Sequence, residues 1–392
     1  MPGPSDRSVF DHPFWGRGFR PFFLGGAIYA MLGILLWTGV YAGHTLPPDI
    51  FSDPIIWHAH EMIYGFVMAI VAGFLLTAVA NWTGGAPVRQ IQLMGLCGLW
   101  LAGRIVMNVH GFPAWSIFAA ELAFLPALAL SLALPLIKSW NTRNFVFLGL
   151  LGLLWLCDAA FLVTQSRMPL YVALVLILVM ISLIGGRIIP AFTVGALRRK
   201  GHNVQIHDQH ALDIVALVTL LAVAGALAAT GPGTMVFAGA CFVSSLVHLV
   251  RMRRYHTKLT FGDPLLWILH AGFGWLVIGL FLAGLSAFGI GMFPAALHAI
   301  TVGVIGSMTL GMMARVTLGH TGRDLVSNGL TTLSFALMQL SAVLRAFGPV
   351  LLPEHYTFWV VSSGLLWSIC FLLYFLVYAP MLWSPRPDRQ PA

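Results

Sequence analysis

Pro169-Leu170-Tyr171-Val172-Ala173-Leu174-Val175-Leu176-Ile177-Leu178-Val179-Met180-Ile181-Ser182-Leu183-Ile184-Gly185-Gly186 carries no charge and no alternation of polar and apolar residues. As a helix this run is ~27 Å long, close to the ~30 Å hydrocarbon core of a bilayer. A transmembrane strand would be shorter and would alternate. Runs of the same kind recur from about residue 20 to residue 380 in a chain of 392 residues. The chain is 59% hydrophobic and only 9% charged, with a mean hydropathy of +0.88. A soluble domain of that size could not be covered with so few charges. The fold class expected is therefore an all-α polytopic membrane protein.

Twelve spans are expected, at about 20–42, 57–82, 91–109, 115–137, 145–164, 169–195, 211–230, 233–250, 264–286, 294–318, 328–347 and 356–380. The seventh and eighth are parted only by the turn signal Gly231-Pro232. Residues 1–19 and 381–392 are expected as terminal segments flanking a transmembrane domain at 20–380. The first segment has no convincing cleavage signal, so the first span is expected to be retained. With a cytoplasmic N-terminus, the inner segments carry Arg7, Arg17, Arg20, Arg89, Lys138, Arg143, Arg198, Arg199, Lys200, Arg251, Arg253, Arg254, Lys258, Arg323, Arg386 and Arg389. The outer loops carry Arg167 alone. That asymmetry places both termini in the cytoplasm and suits an even number of spans. It also accounts for the net charge of +8 and leaves no reason to expect a nucleic-acid partner. All four cysteines lie inside expected spans with no CxxC or CxxCH spacing. A zinc ribbon, a dithiol redox centre and covalent haem are thereby disfavoured.

Ionisable groups inside a bilayer are costly and mark function. The intramembrane set is Glu61, Arg104, Glu121, Asp158, Arg187, Arg315 and Arg345, with His58, His60, His270 and His298. The second span begins outside at Trp57-His58-Ala59-His60-Glu61-Met62 and the tenth at Pro294, so His60 and His298 lie at matching depths of roughly 5–6 Å. His58 and His60 are about 200° apart on the helix, so the two cannot easily share one centre. His60, with Tyr64 a turn later, is expected on the inward face. His58 with Glu61 forms the neighbouring face, and His110 and His44 lie at the outer interface. His270 is on the inner side; His202, His207, His210, His248, His256 and His12 are expected to be largely solvated there. Arg104, Glu121 and Asp158 share the outer half, where a structural ion pair competes with a role for Arg104 in holding a haem propionate.

Several segments carry a resemblance. They are Gly18-Phe19-Arg20-Pro21-Phe22-Phe23, Trp57-His58-Ala59-His60-Glu61-Met62, Gly73 to Ala78 with Asn81-Trp82-Thr83-Gly84, Gly185 to Thr193, and His298-Ala299 through Met312 to Arg323. In these the chain resembles the NnrS family of bacterial inner-membrane proteins. The resemblance implies a haem- and copper-containing protein tied to the response to nitric oxide and nitrosative stress. A looser architectural similarity is to the haem–copper oxidase catalytic subunits, which hold a haem between histidines of the second and tenth helices. Here the tenth span has one outer histidine, and the sixth and seventh lack the copper-binding histidines of those enzymes. A complete binuclear centre is not expected.

The expectation is noncovalent b-type haem in the outer half of the bundle, with His60 and His298 as axial or near-axial ligands and Arg104 and Tyr64 beside them. His58, His110 and Glu61 are the further candidates for copper or for supporting the ligands. The partners expected are nitric oxide or a related small molecule, the lipid bilayer and an electron donor. The alternatives are a secondary transporter of a metal, haem or small metabolite, and a membrane sensor or assembly factor that binds haem without turnover.

Overall fold

The computed structural model describes residues 9–388 apart from 49 and 52. Arg7 and Arg389, counted above among the inner charges, lie outside the described residues, as do the outermost parts of both terminal segments. Among the described residues there are twelve long helices and no strand. They are α1 Phe19–Tyr41, α2 Pro54–Thr83, α3 Gln90–Val106, α4 Ala114–Lys138, α5 Val146–Thr164, α6 Arg167–Arg199, α7 His210–Thr230, α8 Met235–Met252, α9 Pro264–Ser286, α10 Phe293–His320, α11 Gly329–Leu351 and α12 Tyr356–Trp383. Eleven are long and apolar enough to cross a membrane, whereas α3, at 17 residues, is shorter than the rest of the set. It stops at Val106, before the expected 109, because the chain turns there through Gly111 at φ 93°. The break at Gly231-Pro232 is real: α7 ends at Thr230 and α8 begins at Met235, capped by the Thr234 hydroxyl.

Local chemistry sets the starts of the central helices. Asp53 accepts the Ile55 N–H at 2.8 Å and Pro54 occupies the first turn of α2, while Pro294 sits in the first turn of α10. A side-chain acceptor caps an orphan N–H, and proline in the first turn has no intrahelical bond to lose. Asn328 caps α11 in the same way, accepting from Thr331 N–H at 2.8 Å.

Consecutive helices pack against one another around a ring that closes where α1 meets α12. Trp367 of α12 donates to the Ala30 carbonyl at 3.2 Å, and Arg20 of α1 donates through Nη1 to the Leu382 and Ser384 carbonyls, each at 2.7 Å. The two described ends of the chain therefore lie together, at what we call the lower end; Tyr41, Pro54 and Pro294 mark the upper end. Helices α2 and α10 are the most buried, with α6 and α9 next. The outward faces leave Leu130, Val163, Val218 and Leu246 exposed, an apolar surface suited to lipid.

Both central helices widen from α to π geometry along their length, α2 at Glu61–Val67 and α10 at Ala299–Gly306. Such bulges inside α-helices recur at functional sites because they re-aim side chains and free backbone groups. Glycines let neighbours in at each: a Cβ on Gly65 would lie 2.5 Å from the Tyr29 ring, and one on Gly303 would lie 2.5 Å from the Trp275 ring. Apolar periodicity does not distinguish π from α geometry, so neither segment was expected.

Candidate functional site

The upper half of the bundle holds two different environments on opposite faces of α2. One is a closed polar cluster. His60 is fully buried, with Nδ1 at 3.0 Å from Glu61 Oε1 and Nε2 at 3.0 Å from Asp158 Oδ1; Glu121 Oε1 is 3.7 Å from the same Nε2. Arg104 donates through Nη1 to Glu61 Oε1 at 2.5 Å and through Nη2 to Glu121. Glu61 also accepts from the Tyr29 hydroxyl and, at 2.9 Å, from the Asn108 amide. A neutral imidazole has a single N–H, so carboxylates at both ring nitrogens require an additional proton within the cluster. Tyr64 does not open this cluster to a ligand: its hydroxyl donates to the Leu154 carbonyl at 2.9 Å, and its ring lies against His60.

The other environment is a cavity of about 270 Å³ at the upper end between α1, α2, α6, α10, α11 and α12. His58 and His298 both line it, with Met62, Arg345, Trp37 and Tyr356. The His58 ring stacks on Trp37 at 4.4 Å between centroids, and no described residue hydrogen-bonds its nitrogens. His298 Nδ1 donates to the Pro294 carbonyl at 2.6 Å. A carbonyl can only accept, so the proton is on Nδ1 and the Nε2 lone pair of a neutral ring is left free. Arg345 is buried beside Tyr356, and its Nη1 has no partner.

The structure brings together a different pair from the one expected. His60 does not face His298; His58 shares the cavity with His298 instead, and His60 turns to the polar cluster. The cause is the helical offset between residues 58 and 60, with one face of α2 lining the cavity it shares with α10 and the other turned to Arg104, Glu121 and Asp158 of α3, α4 and α5. Arg104 is held between two carboxylates rather than free to clamp a ligand, which realises the ion pair weighed above. Glu61 belongs to the same cluster, and His110 is exposed on the turn after α3. Of the remaining histidines, His270 is held between Thr193 at 2.9 Å and Thr257 at 3.0 Å. His248, expected in solvent, is fully buried between Ser182 and the Ser244 carbonyl. Arg187 and His320 line a second cavity, of about 310 Å³, at the lower end.

One signal for the His58 and His298 pair lies in the sequence. Pro54-Ile55-Ile56-Trp57-His58-Ala59 and Pro294-Ala295-Ala296-Leu297-His298-Ala299 repeat the order proline, two aliphatic residues, a large apolar residue, histidine and alanine. Each repeat opens a central helix and is followed by a π segment. Arg345 was visible as an intramembrane charge, but nothing local tied it to the histidines.

A family model described as NnrS protein matches residues 13–386. The chain belongs to the NnrS family. NnrS membership suggests a membrane protein of the nitric oxide response and carries an association with metal. No curated protein matches the chain.

Haem and copper, the groups that the NnrS resemblance implies, can be tested against these residues. The upper cavity suits haem: imidazoles come from two separate helices, the walls are apolar and aromatic, and the Arg345 guanidinium, bonded to Tyr356 but with Nη1 free, can take a carboxylate such as a propionate. A bare copper ion would find two imidazoles and the Met62 thioether there, a soft donor set, but would place a second cation beside Arg345. His60, Glu121 and Asp158 bring ligand atoms within 4.8 Å of one another, a spacing that could hold a metal ion. This set is rich in oxygen and the Arg104 cation already lies against Glu121, so it does not suit copper.

Proposed function

We propose that this chain is a twelve-span protein of the bacterial inner membrane, with both termini in the cytoplasm, that binds b-type haem noncovalently in the upper, outer-facing cavity. His58 and His298 are the nitrogen donors and Arg345 pairs with a haem carboxylate. The observation that carries the reading is two imidazoles from the ends of α2 and α10 on one cavity with a buried guanidinium whose Nη1 has no partner. A bound haem supplies an iron that takes nitric oxide or passes an electron, and the function that follows is protection against nitric oxide and nitrosative damage.

The protein's own part is positional. Pro294 fixes the tautomer of His298, and Trp37 sets the plane of His58. Ile63, Phe66, Val302 and Trp367 line the same space and exclude water, so a small neutral gas partitions into it more readily than ions do. The polar cluster keeps a shared proton one helix face away from the cavity, behind Ala59 and His60.

The test is an optical spectrum, with iron and copper analysis, of protein produced with haem supplied, read with dithionite before and after nitric oxide. We expect a b-type spectrum in the wild type that is lost or converted to high spin in His58→Ala and His298→Ala, and retained in His60→Ala. Loss in His60→Ala with retention in His58→Ala would overturn the assignment. Metal-free wild-type protein would overturn the haem reading altogether.

One further observation favours the transporter reading as second choice. The same three helices, α2, α6 and α10, line a cavity at each end of the bundle, as alternating access from two sides would require. Proton-driven uptake of copper or haem into vesicles would promote it.

A further inference from the structure

The lower cavity collects most of the segments in which the chain's family resemblance was read, yet the haem site uses little of them. Its walls are Phe74, Thr77, Asn81 and Trp82 of α2, Arg187, Ile188 and Phe192 of α6, and Met312, Val316 and His320 of α10. The polar groups among them are donors or can act as donors, and no carboxylate lines the space. Arg187 gives Nη1 to Asn144 at 2.9 Å, Arg17 donates through Nη1 to the Asn81 side-chain oxygen Oδ1 at 3.3 Å, and the His320 ring rests on Phe19.

Around this rim the arginines accumulate. Arg17, Arg323 and Arg386 lie close enough to Arg20 for their charges to act on it. Arg386 reaches the His320 carbonyl at 3.4 Å and pairs with Asp388. Arg20 is fully buried with Nε and Nη2 unpartnered, and Arg17 Nε is buried and unpartnered too. Buried guanidinium N–H groups without acceptors are costly, and the natural partner for several at once is an anion with several oxygens.

We infer that the lower cavity and its arginine rim bind a phosphate-bearing anion, carried there as the headgroup of an anionic phospholipid. A free phosphate would use the rim alone. The apolar wall of Phe74, Ile188, Phe192 and Val316 gives an acyl chain somewhere to lie, which favours the lipid source. Basic pockets between spanning helices on the cytoplasmic side commonly hold such headgroups. The inference rests on the topology proposed above and is independent of haem.

The experiment is thermal unfolding of the purified full-length chain in neutral detergent. It is repeated with added phosphatidylglycerol, phosphatidylcholine or inorganic phosphate, alongside native mass spectrometry of retained lipid. Micelles have no sides, so an error in membrane orientation leaves the result unaffected. We expect phosphatidylglycerol alone to raise the midpoint by several degrees and to remain bound. That shift should fall by more than half in Arg17→Gln/Arg187→Gln, persist in part in Arg187→Lys, and be unchanged in Arg167→Gln, a control at the opposite end of the bundle. An equal shift from inorganic phosphate would overturn the lipid source. An equal shift from phosphatidylcholine, or a full shift in the double variant, would overturn the site.

Discussion

Replacing Arg104 by methionine is the sharpest test of the polar cluster. The side chain is 5% exposed and its two Nη groups serve Glu61 and Glu121, so the change removes two charge-assisted hydrogen bonds at once. It also leaves Glu61, Glu121 and Asp158 buried together with His60 as their remaining charged partner. Breaking a buried pair by deleting one member costs about 3–5 kcal/mol, chiefly because the other member stays buried and unpaired. At roughly 2 °C per kcal/mol for a chain of this size, the midpoint should fall by ~6–10 °C. Tryptophan fluorescence in detergent reads this directly, since Trp57 donates to Asn108 at 3.2 Å and Asn108 bonds Glu61. Adding Glu121→Gln to Arg104→Met removes one of the two orphaned charges and should restore about half of the loss. A fall under 2 °C, or a double variant no more stable than the single one, would refute the claim that the cluster is held by mutual charge compensation.

Two further outcomes follow from the same geometry. Gly65→Ala places a Cβ 2.5 Å from the Tyr29 ring and 2.9 Å from Arg104 Nη1, so overpacking should destabilise the fold by about 1–3 kcal/mol, seen as a lowered thermal midpoint. Asp53→Ala removes the cap of α2 and the 2.5 Å ion pair to Arg167; the cap accounts for most of an expected loss of about 0.5–2 kcal/mol, so raising the salt concentration should change that loss little.

Much of the architecture was legible in the residues because lipid imposes a simple rule: a spanning segment must be apolar and long, and charge collects on one side. The helix order, the turn at Gly231-Pro232 and the crowding of cations at the lower end all follow from it. The site was only partly legible. That α2 and α10 carry the histidines was plain, but choosing between His58 and His60 depended on which face of α2 lines the cavity shared with α10. Periodicity says nothing of that when the helix is apolar all round. The ion pairing of Arg104 was foreseeable from charge and depth. The meeting of Arg345 with His58 and His298 was not, because it joins residues almost 300 positions apart through packing alone. The recurrence of proline four residues before each cavity histidine was the local clue that favoured His58.

The bond between Arg20 and the carbonyls of Leu382 and Ser384 orders events during synthesis. The first helix leaves the ribosome with a guanidinium whose acceptors have yet to be made, and eleven more helices must follow before they arrive. A lone arginine deep in a lipid-facing helix costs about 2.5–3.5 kcal/mol on insertion scales, so the early chain keeps that end of α1 near the headgroups. The ring can close only when α12 returns to α1. A nascent chain that stops short of residue 382 lacks both acceptors, and its first helix remains marked as unfinished.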